Sequence, residues 1–287
     1  MCTYCSRQGD QGAEFCKFCG VRYGGAPPAG HPMAQHPLAQ QPAGHPTVSQ
    51  ARAPKAAAGP ELGTARIVSV LKDGTDGPSY ELTGTQTDLG ATEGDVLLRD
   101  DPYVSPRHAR ISSDGSQYVL KDLDSVNGTY VRIGSPVELH DGDMILIGQQ
   151  VLRFETLRPD EQSFGSASTH GVMLFGTPEI SRAARLCQYT TEGVNRDIYY
   201  LFRERTVLGR EVGDLVFTDD PFLSRRHAAI RAEHDTGRFF LEDLGASNGT
   251  AIRLRGEHRL TSGDFFRLGR HLFRFQRPTD PNQRVSG

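Results

Sequence analysis

The residues of this chain whose types and spacing could do chemistry fall into two groups. The first is Cys2, Cys5, Cys16 and Cys19, two Cys-x-x-Cys pairs with ten residues between them. A close pair can place two thiolates on one metal ion. Two pairs supply tetrahedral S4 ligation, which suits zinc. Gly20 after Cys19 can relieve crowding where amides turn toward a thiolate. Residues 1–22 are too few to fold on an apolar core, so metal would supply their stability. Disulfides would use the same thiols, but MCTYCSRQGDQG carries no apolar export segment and a reducing compartment is expected. Four thiolates on one ion make a closed, structural site rather than a catalytic one.

The second group lies between Leu208 and Thr250. Gly209-Arg210 comes first, then Ser224-Arg225-Arg226-His227, then Ser247-Asn248-Gly249-Thr250, each between apolar runs that read as strands. Three such loops could meet at one end of a β-sandwich and hold a small anion. Arginine offers a rigid donor fork to such charge, hydroxyls complete the shell, and asparagine grips a peptide amide and carbonyl together. Each feature alone is bland. Arg210 reads as a surface charge, Asn248-Gly249 as a turn signal, and His227 as a satisfied core histidine. Ser224 and His227 could suggest acyl chemistry, yet no acid is placed to complete a triad. Neither a Gly-rich nucleotide loop nor a kinase core is present, so an enzyme is not expected.

The elements that must carry these loops occur twice. An offset of 119 residues places Gly90 on Gly209 and Ser105-Pro106-Arg107-His108 on Ser224-Arg225-Arg226-His227. After a two-residue insertion the offset is 121, and Asn127-Gly128-Thr129 falls on Asn248-Gly249-Thr250. Each copy reads as all-β. RIVSVL, VLLR, HARI, YVLKDL, TYVR, MILIG and VLRFETL are short alternating or β-branched runs, punctuated by turn residues. The second copy matches with ARLCQY, IYYLF, DLVF, HAAI, RFFLEDL, AIRL, FFRLG and HLFRFQ. Short strands at regular spacing predict two tandem β-sandwiches, over residues 61–158 and 181–278. Residues 23–60, rich in Pro, Ala and His, read as a disordered linker. Residues 159–180 join the copies; within them VMLFGTPEI either packs on the second sandwich or serves as a docking segment. Cys187 is expected to be buried.

The pattern Gly-Arg, Ser-x-x-His, Asn-Gly-Thr and then Gly-Asp resembles the forkhead-associated (FHA) domain, over nearly all of both copies. That resemblance implies a β-sandwich that reads phosphothreonine in partner proteins. It implies that Arg210 binds phosphate and that the Ser224 hydroxyl bonds it. Arg225 would add a contact, Ser247 would be the hydroxyl of the second loop, and Asn248 would hold the peptide backbone. Gly209 and Gly249 would serve tight turns, and His227 would support the serine loop. The first copy departs where it matters, with Ala91 at the arginine position and Val126 at the hydroxyl position. Its scaffold is expected to be intact and its phosphothreonine site weak or dead.

These readings predict a non-enzymatic adaptor in serine/threonine kinase signalling. Its partner would be a threonine-phosphorylated protein, either the kinase or its substrate. A phosphate-independent scaffold competes, as does a nucleic-acid-associated regulator acting through the zinc ribbon. The net charge of −3 argues against bulk nucleic-acid binding. No apolar run approaches the roughly 20 residues needed to cross a bilayer, and a cytoplasmic, non-membrane protein is expected.

Overall fold

The computed structural model describes residues 64–277, except 163, 164, 179 and 234. The four N-terminal cysteines and the linker at 23–60 lie outside the described residues. The first repeat contributes β1 (Arg66–Val70), β2 (Asp76–Glu81), β3 (Gln86–Gly90), β4 (Val96–Leu97) and β5 (Ala109–Ser113). It continues with β6 (Tyr118–Asp122), β7 (Thr129–Arg132), β8 (Val137–Leu139), β9 (Met144–Ile147) and β10 (Gln150–Thr156). Between the repeats lie α1 (Pro159–Gln162), β11 (Ser168–Thr169) and β12 (Val172–Met173). The second repeat contributes β13 (Ala184–Tyr189), β14 (Asn195–Leu201), β15 (Arg205–Gly209), β16 (Leu215–Val216) and β17 (Ala228–Glu233). Then follow β18 (Arg238–Asp243), β19 (Thr250–Arg253), β20 (Glu257–Leu260), β21 (Phe265–Leu268) and β22 (His271–Gln276).

Period-two alternation decides what each strand buries. In β10, Leu152 and Phe154 are buried with Arg153 between them, and in β21 Phe266 and Leu268 alternate with Arg267. The sequence runs did not mark β2, whose DGPSYE is polar and contains Pro78. It pairs with β1 alone, at the end of its sheet, where a strand tolerates proline and one solvated face.

Strand pairing mixes the repeats. One ten-stranded sheet runs β14-β13-β10-β9-β19-β7-β21-β22-β1-β2. Two five-stranded sheets run β16-β15-β17-β18-β8 and β20-β6-β5-β3-β4. The final strands β8–β10 of the first repeat therefore complete the sandwich begun by the second, and β20–β22 complete the one begun by the first. The cores record the exchange. One gathers Ile67, Leu89, Ile111 and Leu120 with Phe266, Leu268, Phe273 and Phe275. The other gathers Ile145, Ile147, Leu152 and Phe154 with Leu186, Leu208, Ile230 and Leu241. Aromatic contacts cross between repeats in both: Tyr118 meets Phe275 at 5.2 Å between ring centroids, and Phe154 meets Phe239 at 5.3 Å. Each fully buried aromatic or aliphatic side chain removed from water stabilises by about 1.5–3 kcal/mol, so each core draws much of its stability from a closing hairpin that here comes from the other repeat.

The repeats meet at β7 and β19, which pair antiparallel as Ala251↔Arg132, Ile252↔Val131 and Arg253↔Tyr130. Val131 and Ile252 are equivalent positions in the two repeats, so a local twofold axis passes between them. In the connecting segment, β11 and β12 form a small exposed hairpin. Val172, Met173, Leu174 and Phe175 are exposed rather than packed on a sandwich.

Candidate anion-binding cleft

The second repeat places its three polar loops at one end of its composite sandwich. Arg210, Ser224, Arg225, Ser247 and Asn248 line one open cleft of about 360 Å³, with Pro221, Phe222 and Leu223 completing its wall. The structure thus brings together all five residues singled out as ligand contacts.

Backbone bonds fix the first two loops to each other. The Arg210 N–H donates to the Ser224 carbonyl at 3.0 Å, and the Val212 N–H to the Arg225 carbonyl at 3.0 Å. Gly209 ends β15 where a Cβ would overlap the Arg225 carbonyl oxygen, so glycine is needed there for close backbone approach. Gly249 does sit in a turn, at φ +70°, and a side chain on it would also collide with the Arg132 guanidinium.

His227 joins the second loop to the third. It is fully buried and its Nδ1 accepts the Ser224 N–H at 3.1 Å. That bond makes Nδ1 the acceptor, so Nε2 carries the hydrogen and donates to the Gly249 carbonyl at 3.1 Å. Burial pushes this imidazole below the usual histidine range, against the smaller opposing effect of the Gly249 carbonyl. The neutral ring is the form that makes both bonds. His227 accordingly touches loop backbone on both sides, as a support.

The remaining polar atoms face the cleft with capacity to spare. The Ser224 Oγ accepts the Ser247 N–H at 3.2 Å, which leaves the Ser224 hydroxyl hydrogen to donate outward. The Asn248 amide donates to the Phe222 carbonyl at 2.8 Å, which orients its side chain. The arginines already hold a carboxylate. Glu211 accepts from Arg210 Nη2 at 2.7 Å and from Arg225 Nε at 2.9 Å. The Arg210 guanidinium first, and Arg225 after it, hold the Glu211 carboxyl below the usual carboxylate range. An anion thus occupies the grip of both guanidinium groups.

The first repeat keeps the frame and lacks the charge. Ser105 N–H donates to His108 Nδ1 at 3.0 Å, and His108 Nε2 lies 3.2 Å from the Gly128 carbonyl. The Val126 N–H donates to Ser105 Oγ at 3.1 Å, and the Asn127 amide to the Tyr103 carbonyl at 2.9 Å. Ala91 and Val126 stand where the second repeat has Arg210 and Ser247, and Val126 is exposed. Arg107 does not stand in for the missing arginine, because its guanidinium pairs with Asp88 at 2.8 Å. Cys187 is buried, with its thiol 3.5 Å from Glu155 Oε2.

Sequence reasoning missed the residues that hold the cleft from beneath. Asp220, buried, accepts the Phe222 N–H at 2.9 Å on one oxygen. On its other oxygen it accepts the Gln149 N–H at 2.7 Å and the Gln150 side-chain amide at 2.9 Å. Arg132 Nη2 donates to the Ala246 carbonyl at 3.3 Å. Gln149, Gln150 and Arg132 all belong to the first repeat. The sequence carries no signal of this, because the exchange of strands alone brings them there.

The FHA domain family model matches residues 88–148 and 206–269. Transcriptional regulatory protein EmbR of Mycobacterium tuberculosis is 36% identical over 109 residues, 37% of this chain and 26% of EmbR. FHA domain-containing protein FhaB of Mycolicibacterium smegmatis is 33% identical over 98 residues, 33% of this chain and 61% of FhaB. The chain thus spans under two thirds of either relative. A solved structure of Mycobacterium tuberculosis EmbR in complex with a low-affinity phosphopeptide is 27% identical, covers 32% of this chain and 27% of that one, and superposes with a TM-score of 0.17. Each matched segment falls inside one of the two repeats, and each repeat carries a Ser-x-x-His and an Asn-Gly-Thr loop: two tandem segments of the chain match the FHA domain family.

Proposed function

We propose that this chain is a non-enzymatic adaptor that captures threonine-phosphorylated proteins in serine/threonine kinase signalling, through the cleft of the second repeat. The observation that supports this is the convergence of Arg210, Arg225, Ser224, Ser247 and Asn248 on one cleft, with both guanidinium groups also paired to the neighbouring Glu211 carboxylate. A phosphate brings nearly two negative charges and several acceptor oxygens to the same donors. Arg210 supplies the main clamp, Ser224 and Ser247 donate hydroxyls, Arg225 adds charge, and Asn248 takes the peptide backbone. In the first repeat Ala91 and Val126 withhold two of these contacts and Arg107 is committed to Asp88, so that site does not take phosphothreonine.

Calorimetry of the full chain against a library of peptides with fixed phosphothreonine tests the reading. Binding is expected to require the phosphate and to weaken by at least about 30-fold in Arg210→Ala, the lower end for truncating one partner of a close charge pair. Equal affinity for the unphosphorylated peptides would leave a phosphate-independent scaffold as the better reading.

We also propose that Cys2, Cys5, Cys16 and Cys19 hold one structural zinc ion. The donor set supports this, since four thiolates satisfy a tetrahedral closed site. Elemental analysis of the purified chain should give about one zinc per molecule, lost on Cys16→Ser; a metal-free chain with paired disulfides would refute it.

A further inference from the structure

The local twofold axis gives each polar loop a support from the opposite repeat. Arg253, at the equivalent position to Arg132, packs beneath Gly128 and donates to the Ser125 carbonyl at 3.2 Å. Arg132 does the same beneath Gly249 and Ala246. The loop in the second repeat is the one that carries the cleft. Its arginine support therefore comes from the repeat whose own loops lack two of the phosphate contacts.

A second path reaches the cleft from the same repeat. The Gln150 amide donates to Asp220, Asp220 accepts the Phe222 N–H, and the Phe222 carbonyl accepts the Asn248 amide. Asp220 is almost wholly buried, and Gln150 shares its Oδ2 with the Gln149 N–H, so losing the Gln150 amide removes one of the two donors that fix this oxygen. The counterpart chain runs from Arg270 and His271 of the second repeat through Asp101 and Tyr103 to Asn127. It ends at the loop that lacks its arginine and hydroxyl.

We propose that Arg132 and Gln150 are positioning residues for the phosphothreonine cleft, so that the first repeat is an obligatory half of the reader rather than a vestigial second one. This rests on the phosphothreonine reading of the cleft. It accounts for a repeat that keeps its buried sandwich strands and the His108 bridge while two of its own phosphate contacts, at Ala91 and Val126, are gone. Arg132 sets the height and angle of the Ala246–Gly249 turn, which presents Ser247 and Asn248. Gln150 holds Asp220, and through it the segment that orients Asn248.

The two arginines provide a matched pair of variants in the full chain. Both sit at the β7/β19 junction, so truncating either removes the same guanidinium from the same kind of place. Arg132→Ala is expected to weaken binding of the tightest phosphothreonine peptide from the library by about 10- to 150-fold, the scale of a lost hydrogen bond that involves a charged group. Arg253→Ala is expected to leave affinity within about twofold, because it supports the loop around Val126. Gln150→Ala should fall on the side of Arg132→Ala. Amide hydrogen exchange without peptide provides the readout that general destabilisation would not move. Exchange at Ser247–Gly249 should quicken in Arg132→Ala alone, and exchange at Val126–Gly128 in Arg253→Ala alone. Equal loss of affinity in both arginine variants, or an unchanged Arg132→Ala, overturns the proposal. A wild-type chain that binds no phosphopeptide overturns the reading of the cleft itself.

Discussion

At the scale of single residues, Glu211 is the instructive one. It occupies the two guanidinium groups that the proposed function assigns to phosphate, and it stays ionised because Arg210 holds its carboxyl low. An arriving phosphate competes with this carboxylate for both arginines. Glu211→Ala should therefore tighten phosphothreonine binding by about two- to fivefold, the modest scale of exposed ion pairs. Titration calorimetry checks this, and weaker binding in the variant would mean that Glu211 orients the arginines instead of competing for them. Residue chemistry was the most legible layer of this chain. Arg210, Ser224 and Asn248 stood out because a fork of donors, a hydroxyl and a carboxamide at loop positions have few other joint uses. Asp220 was not legible, since nothing in DDPF separates a buried hub from a surface turn.

At the scale of elements, the buried histidines are one of the ties between the serine loop and the Asn-Gly-Thr loop in each repeat. His108 and His227 both make two backbone bonds in their neutral forms, and burial pushes both imidazoles below the ordinary value. The sign follows from proton counting. The unfolded chain takes up protons near pH 6.5, while the folded chain resists until a lower pH. Stability from these two groups is thus complete above about pH 6.5 and is lost as pH falls through that value toward the folded titration. The melting temperature of the unliganded chain should hold level from about pH 8 to 7 and decline below about 6.5, ahead of any carboxylate titration. A flat profile down to pH 5 would show that the rings are not obligatorily neutral. Strand positions were legible from alternation, as in MILIG and FFRLG, but strand partners were not. The two closing hairpins share one pattern, so either fits either sandwich. Arg274 of the second repeat pairs with Asp76 at 2.6 Å, and Arg153 is its counterpart in the first. Such charges permit both arrangements and select neither.

At the scale of the whole molecule, the repeats are contiguous in sequence and interlaced in space. The exchanged hairpins place Lys121 beside Glu257 at 3.3 Å and Arg238 beside Glu138 at 3.6 Å, pairs drawn from opposite repeats. A protease site inserted after Gly176, in the exposed connection, should give two fragments that co-elute as one particle in native buffer and part only in denaturant. Fragments that separate on simple dilution would mean that each repeat closes on itself. Joining the Lys121 and Glu257 side chains with a zero-length carbodiimide, followed by mass spectrometry of the monomer, reads the same arrangement without altering the sequence.

The pairing of β1 with β22 has a consequence for synthesis. Ile67 faces Phe275 across that ladder, so the first strand of the first sandwich waits for nearly the last residues described. At ribosomal rates of about 5–20 residues per second, this leaves its apolar face without its partner for about 10–40 s. The nascent chain therefore passes through a long interval in which β1, β3, β5 and β6 have emerged and the phenylalanines that cover them have not. Where several ribosomes translate one message, a neighbouring chain can supply the missing hairpin, and the same ladder then ties two molecules together.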